Sequence, residues 1–273
     1  MSTQTEKGDA FRKLHARKDA FIIPNPWDAG TARMLAYLGF EALATTSAGY
    51  AFSVGQLDGS IGRERMLVHV AQIAASTPLP VSADLENGYG DDPESVAVTV
   101  KQAGDAGAVG CSIEDATGRP QCPLYELAHA VDRIRAASEA ARSLPFAFTL
   151  TARAENYLVG KPDIKDTIKR LQAYQEAGAD VLYAPGLSSR DDIAELLGAV
   201  ERPVNVLVGF SGMRLALGDL SDLGVKRIST GSTLTRTALG AFVRAAREMR
   251  EHGSFAFSSE VMSSQDIIRM FKA

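Results

Sequence analysis

The decapeptide Val81-Ser82-Ala83-Asp84-Leu85-Glu86-Asn87-Gly88-Tyr89-Gly90 decides how the rest of the chain is read. After Pro80, the small and β-branched residues Val81, Ser82 and Ala83 predict a short buried strand, because proline can open a strand but not sit inside one. Polarity then changes abruptly. Asp84 and Glu86 stand two apart, so on extended backbone they project to the same side of the strand end. Asn87-Gly88-Tyr89-Gly90 turns the chain, and Asp91-Asp92-Pro93 leads into a helix. Two carboxylates crowded at the mouth of a strand repel each other unless a cation, a proton or a salt bridge stands between them.

Outward from this stretch, short β-branched runs alternate eight times with amphipathic helical patterns. Strands are predicted over 21–24, 42–47, 80–85, 109–114, 146–153, 180–185, 203–208 and 225–231. Helices are predicted over 31–38, 63–76, 93–106, 125–143, 163–177, 191–200, 213–223 and 234–252, with two more outside the repeat, over 6–16 and 264–271. Several helices end in one punctuation, as in Ala177-Gly178-Ala179 and Leu223-Gly224-Val225, where glycine supplies a left-handed C-terminal turn. Eight such units without an interrupting linker predict one domain over residues 1–273, a (β/α)8 barrel rather than an open doubly wound sheet.

Composition narrows the function. A chain of 273 residues, 45% of them hydrophobic, can bury a large core. A formal net charge of −4 gives no footing for nucleic acid. Cys111 and Cys122, the only two cysteines, make neither a disulfide framework nor a four-ligand zinc site. No apolar run approaches the ~20 residues that span a membrane, and the polar N-terminus is no secretory signal. A soluble cytoplasmic protein is the expectation.

In a barrel the chemistry sits at the C-terminal ends of the strands. Those ends carry Asn25 and Trp27, Thr46 and Ser47, Asp84 and Glu86, Glu114 and Asp115, Arg153 and Glu155, Tyr183, Asn205, and Thr230-Gly231-Ser232. Asp84, Glu86 and Glu114 come from adjacent strands and could share one hard cation such as magnesium. Alternatively, Glu86 or Glu114 pairs with Arg153 as a rim salt bridge. Arg153 could hold a substrate carboxylate and steady an enolate oxygen, or serve only as counter-ion to the acids. Asp58, beside glycine, reads by default as a loop aspartate. The four histidines lie in helical patterns, which removes a nucleophilic triad, and no Gly-x-Gly-x-x-Gly follows a strand.

Taken together in order and spacing, several motifs identify a resemblance. They are Pro24-Asn25-Pro26-Trp27-Asp28-Ala29, Gly55-Gln56-Leu57-Asp58, Ala83-Asp84-Leu85-Glu86-Asn87-Gly88-Tyr89-Gly90, Ser112-Ile113-Glu114-Asp115, Thr151-Ala152-Arg153 and Gly178-Ala179-Asp180. Over nearly its whole length the chain resembles the isocitrate lyase/phosphoenolpyruvate mutase superfamily. The resemblance implies a (β/α)8 barrel whose last helices are commonly swapped between subunits, hence a homo-oligomer, dimer or tetramer. It also implies a Mg2+ cofactor (Mn2+ in its place) and a small-molecule 2-oxo acid substrate, with neither nucleic acid nor membrane as partner.

Carried over residue by residue, Asp84 becomes the direct metal ligand, and Glu86 and Glu114 hold the metal's waters. Asp58, Glu114 and Arg153 become catalytic, Arg153 also anchoring the substrate. Thr46, Ser47, Ala48 and Asn205 become substrate-binding. The departures are equally specific. Glu86 stands where the family usually has Asp, and Thr46-Ser47-Ala48-Gly49 replaces a more glycine-rich stretch. After Asp115 the chain has Ala-Thr-Gly-Arg-Pro-Gln-Cys-Pro, not the Lys-Lys-Cys-Gly-His of isocitrate and methylisocitrate lyases. The expected activity is therefore carbon–carbon cleavage or decarboxylation of a small 2-oxo acid through a pyruvate-type enolate. The alternatives are carbon–phosphorus chemistry on phosphonopyruvate, and an idle barrel that only binds a 2-oxo acid.

Overall fold

Eight parallel strands form in the computed structural model, which describes residues 2–209 and 213–272. They are β1 (Phe21–Ile23), β2 (Leu43–Ala44), β3 (Val81–Asp84), β4 (Gly110–Glu114), β5 (Thr149–Arg153), β6 (Val181–Tyr183), β7 (Val204–Leu207) and β8 (Arg227–Ser229). The sheet runs β1-β8-β7-β6-β5-β4-β3-β2. Its two ends meet where the Ala44 N–H donates to the Pro24 carbonyl at 3.1 Å. Asn25 reinforces that seam: its amide donates to the Thr45 carbonyl, and its Oδ1 accepts from the Thr230 and Gly231 N–H groups, all three at 2.9 Å. The (β/α)8 barrel is thus the observed architecture.

Side-chain alternation sorts the strands into two faces. On β4, Cys111 and Ile113 join the core between barrel and helices, as do Leu150 and Ala152 on β5. Ser112, Glu114 and Arg153 point the other way, into the barrel mouth. The outer layer consists of α2 (Ala29–Tyr37), α3 (Ser47–Ser53), α4 (Arg63–Ser76), α5 (Pro93–Asp105), α6 (Leu127–Arg142), α7 (Ile164–Glu176), α8 (Arg190–Ala199), α9 (Leu217–Leu223) and α10 (Thr233–His252). The first helix, α1 (Gln4–His15), plugs the barrel bottom, with Phe11 and Leu14 against Phe21, Ile23 and Val109. Gly110 makes this plug possible, since a Cβ there would stand 2.9 Å from the Phe11 ring.

The glycine punctuation works as expected. Gly178 has φ 103°, and its carbonyl accepts from Ser138 Oγ at 3.1 Å. Two expectations change. The second strand, expected over 42–47, stops at Ala44, and Ser47 opens α3 instead of ending a strand. Thr46 caps that helix by accepting the Gly49 N–H at 3.1 Å, a local hydrogen bond that competes with the sheet ladder. The helix expected over 213–223 forms only from Leu217; its stretch 213–216 is irregular, and residues 210–212 lie outside the described residues. At the C-terminus α11 (Ser264–Lys272) packs against α2, where Arg33 donates to the Phe271 carbonyl at 2.6 Å. No helix among the described residues is long and apolar enough to cross a membrane.

Candidate active site

The barrel mouth opens into a cavity of about 370 Å³, walled by Asp58, Asp84, Glu86, Glu114, Glu155 and Arg153. Arg153 is its hub. From the end of β5 its Nη1 pairs with Asp84 at 3.0 Å, its Nη2 with Glu114 at 3.0 Å and its Nε with Glu155 at 2.8 Å. A guanidinium has five N–H bonds, so two remain, one on each terminal nitrogen. Burial alone would lower its pKa, but Glu114, Glu155 and Asp84 outweigh that and hold it well above the ordinary arginine value.

Asp84, closing β3, is held from two further sides. One oxygen accepts the Ser47 N–H at 2.9 Å and the Ser47 hydroxyl at 2.8 Å, and the other accepts the Ser112 hydroxyl at 3.3 Å. Burial raises the carboxyl pKa of Glu114 well above the usual range, with Arg153 opposing, and raises that of Glu155 likewise. Asp58 stands exposed at the open edge of the cavity. Partial desolvation over the cavity, then the charge of Asp84, raises its pKa.

Glu86 differs from the rest. Its Oε1 is buried with no hydrogen-bond partner. Burial, then Asp84 and Asp58, push its carboxyl up to about 8. Its backbone is left-handed, φ 50°, as is that of Tyr89 at 58°; non-glycine residues adopt this region rarely, and at some energetic cost. The turn that holds them there is clamped by Arg133 of α6, which is 1% exposed. Arg133 donates to the carbonyls of Gly90 at 2.6 Å and of Asn87, and stacks over Tyr125 at 4.1 Å.

The acidic residues expected from the sequence thus converge, as does Arg153. Thr46, Ser47 and Ala48 border the same cavity. Asn205 does not. It lies beneath the cavity at 1% exposure, bridging Ser229 and Arg227 at 2.9 Å each, and Leu207, two residues on, is what β7 presents to the space. Three participants had no assigned role in the sequence reading. Glu155 and Tyr183 were visible at strand ends, Tyr183 lying under Arg153 at 5.2 Å. Arg227, inside a strand, carried no such positional signal. Cys122 is exposed and does not line the cavity.

The donor set suits a hard divalent cation: every donor is oxygen, acids outnumber the rim cation, and Glu86 offers a buried unpaired atom. Among the described residues no three His, Cys, Asp or Glu side chains stand together as a ready ligand shell. Asp84 and Glu114 are instead drawn onto Arg153, so the rim salt bridge anticipated as an alternative is present.

Comparison with known proteins bears on the family. Residues 11–250 match the family model described as phosphoenolpyruvate phosphomutase. A crystal structure from Burkholderia cenocepacia J2315 is 60% identical and superposes with a TM-score of 0.97 over 99% of this chain and 97% of that one. The oxaloacetate decarboxylase of Chromohalobacter salexigens is 28% identical, covering 96% of this chain and 91% of its own length. The "Probable 2-methylisocitrate lyase 2" of Corynebacterium glutamicum is 29% identical, covering 91% of this chain and 82% of its own. With the barrel, the acid-ringed Arg153 and this match over most of its length, the chain belongs to the isocitrate lyase/phosphoenolpyruvate mutase superfamily and is an enzyme of that lyase kind.

Proposed function

We propose that the cavity cleaves a carbon–carbon bond in a small 2-oxo acid by way of a pyruvate-type enolate, with Mg2+, or Mn2+ in its place, as cofactor. The observation that carries this reading is Arg153, ringed by Asp84, Glu114 and Glu155, beside the buried unpaired oxygen of Glu86. Asp84 would hold the cation, with Glu86 and Glu114 holding its waters. When bound, a divalent cation supplies Lewis-acid polarisation of the 2-oxo group.

The chain's own residues do the rest. Thr46, Ser47 and Ala48 hold the substrate carboxylate, and the two remaining N–H bonds of Arg153 face the oxygen on which negative charge develops. The fragment beyond the broken bond departs as carbon dioxide, or as a carbonyl compound once Asp58 has taken its hydroxyl proton. The electron pair of that bond becomes the enolate, and Asp58, at the cavity edge, passes a proton from that hydroxyl or from water to the methylene carbon. The decarboxylase and lyase relatives support carbon–carbon chemistry. The matched phosphoenolpyruvate phosphomutase model favours a second reading, carbon–phosphorus cleavage, which passes through the same enolate. On the outer surface Phe242 of α10 is 70% exposed, with Leu239, Val243 and Ile268 of α11 also exposed; this supports a homo-oligomer.

Enolate formation can be tested without knowing the substrate. With Mg2+ in D2O, the protein should exchange the methyl protons of pyruvate, read by NMR. Arg153→Lys, which keeps the charge but loses the planar fork, should slow exchange at least about a hundredfold. Pyruvate that binds without exchange would overturn the reading and leave an idle binding barrel. Phosphate release from phosphonopyruvate would favour carbon–phosphorus chemistry.

A further inference from the structure

A second arginine lies below the rim, and the chemistry proposed for the rim makes no use of it. Arg227 of β8, in register with Asn205 of β7 and Phe21 of β1, is 4% exposed yet lines the floor of the cavity. Its Nε donates to Asn205 Oδ1 at 2.9 Å, while its Nη1 is buried without any partner. Asp84, Glu114 and Glu155 pair with Arg153, and no ion pair joins Arg227 to a carboxylate among the described residues. Burial lowers its pKa to about 10, so it remains a cation at neutral pH. A buried guanidinium with a free N–H and no counter-charge is unfavourable unless an anion completes it. The cavity leaves room for one: the lining that β2, β3 and β4 contribute to it includes the small inward side chains Ala44, Ser82 and Ser112.

We propose that Arg227 Nη1, with the hydroxyl of Ser82, forms a second anion subsite that takes the far carboxylate of a 2-oxo dicarboxylate. The inference rests on the rim as the place of the 2-oxo-acid end, and it adds the substrate class: a diacid spanning from Thr46–Ala48 down to the barrel floor. It also narrows the chemistry. A carboxylate paired with a guanidinium is stabilised in the charged form, and loss as carbon dioxide would remove that charge; binding that favours the ground state does not accelerate its loss. The floor therefore selects cleavages in which the second carboxylate stays in a product, over decarboxylation of that group.

Calorimetry in the presence of Mg2+ tests this with two matched pairs, pyruvate against 2-oxoglutarate and lactate against malate. The parent should bind at least one diacid about tenfold or more tighter than its monoacid partner, the effect of one charged hydrogen-bonded contact. Arg227→Met should erase that preference while leaving pyruvate affinity within about twofold. Should that variant fail to fold, Ser82→Val decides, since it fills the floor from another strand and should erase the same preference. Equal affinity for monoacids and diacids in the parent would overturn the subsite. So would a diacid preference that survives in a folded Arg227→Met or Ser82→Val, or parallel loss of pyruvate and diacid binding, which would make Arg227 only a packing residue. Failure of the parent to bind pyruvate at all would instead overturn the rim reading beneath it.

Discussion

Glu86 is the residue whose chemistry is most exposed to test. Its proton is retained up to about pH 8 because burial and two neighbouring acids disfavour the charge, and a cation nearby would displace that proton. Mg2+ affinity should therefore rise with pH and level off above about 8. The sign for stability is opposite: the folded state holds a proton that the unfolded chain releases near 4.5, so metal-free stability should fall as pH rises from about 4.5 through 8. Asp84→Ala should abolish Mg2+ binding by calorimetry, whereas Glu86→Asp, with a role through water rather than direct ligation, should keep much of it. Parent-like magnesium affinity in Asp84→Ala would make the metal assignment wrong.

At the scale of elements, two helices fix parts that no strand could fix alone. Arg133 of α6 ties down the turn that carries Glu86 and Tyr89 in left-handed backbone. Arg133→Met should free those carbonyls, lower the melting temperature by several degrees and weaken Mg2+ binding about tenfold or more. Unchanged magnesium affinity would mean the turn holds itself. Helix α1 contributes His15, which sits edge-on to Phe11 and Phe21 with ring centroids 4.7 and 5.0 Å away. Burial, then the charge of Arg227, lowers its pKa to about 3 from 6.5. The unfolded chain then binds the extra proton, so stability should be full above about pH 6.5 and lost as pH falls toward 3, by on the order of 3–5 kcal/mol. His15→Leu should flatten that limb in urea unfolding measured across pH; an unchanged slope would place the acid sensitivity elsewhere.

At the scale of the whole molecule, what lies over the barrel mouth sets the size of substrate. The segment after Asp115 folds onto itself, with Ala116 bridging Leu124, Thr117 N–H on the Pro123 carbonyl at 2.9 Å, and Arg119 paired to Asp91 at 2.7 Å. Asp115 anchors its root, accepting from Tyr174 at 2.6 Å and from Arg170 at 3.1 Å. Cleavage of a tricarboxylate needs an acid for the departing carbanion and a cover that excludes water. Here Cys122 is exposed outside the cavity. Isocitrate and methylisocitrate should therefore give no detectable glyoxylate or pyruvate, and Cys122→Ser should leave any activity found unchanged. Tricarboxylate cleavage that vanishes in Cys122→Ser would make that thiol the missing acid.

The sequence by itself determined the repeat and its acidic rim. Eight periodic βα units admit few closures, and each of Asp84, Glu114 and Arg153 ends a strand, where alternation forces a side chain toward the mouth; Glu86, expected there on extended backbone, reaches it on left-handed backbone instead. Local signals also placed helix ends well, because capping and glycine turns are made by neighbours in the chain. Tertiary structure decided what depends on contacts between distant strands. It gave Thr46 a cap instead of a strand position, and put Asn205 on the floor and Leu207 on the wall: the two share the inward face of β7, so what separates them is depth along the strand, one rung lower beside Arg227 or one rung higher beside Ser229. It also gave Arg153 three acidic partners from three strand ends. Arg227 was least legible of all, a basic residue next to Lys226 in a short strand, with nothing local to mark it as buried. Only closure of the barrel left its Nη1 buried and unpaired, because a charge becomes costly when other strands remove its water.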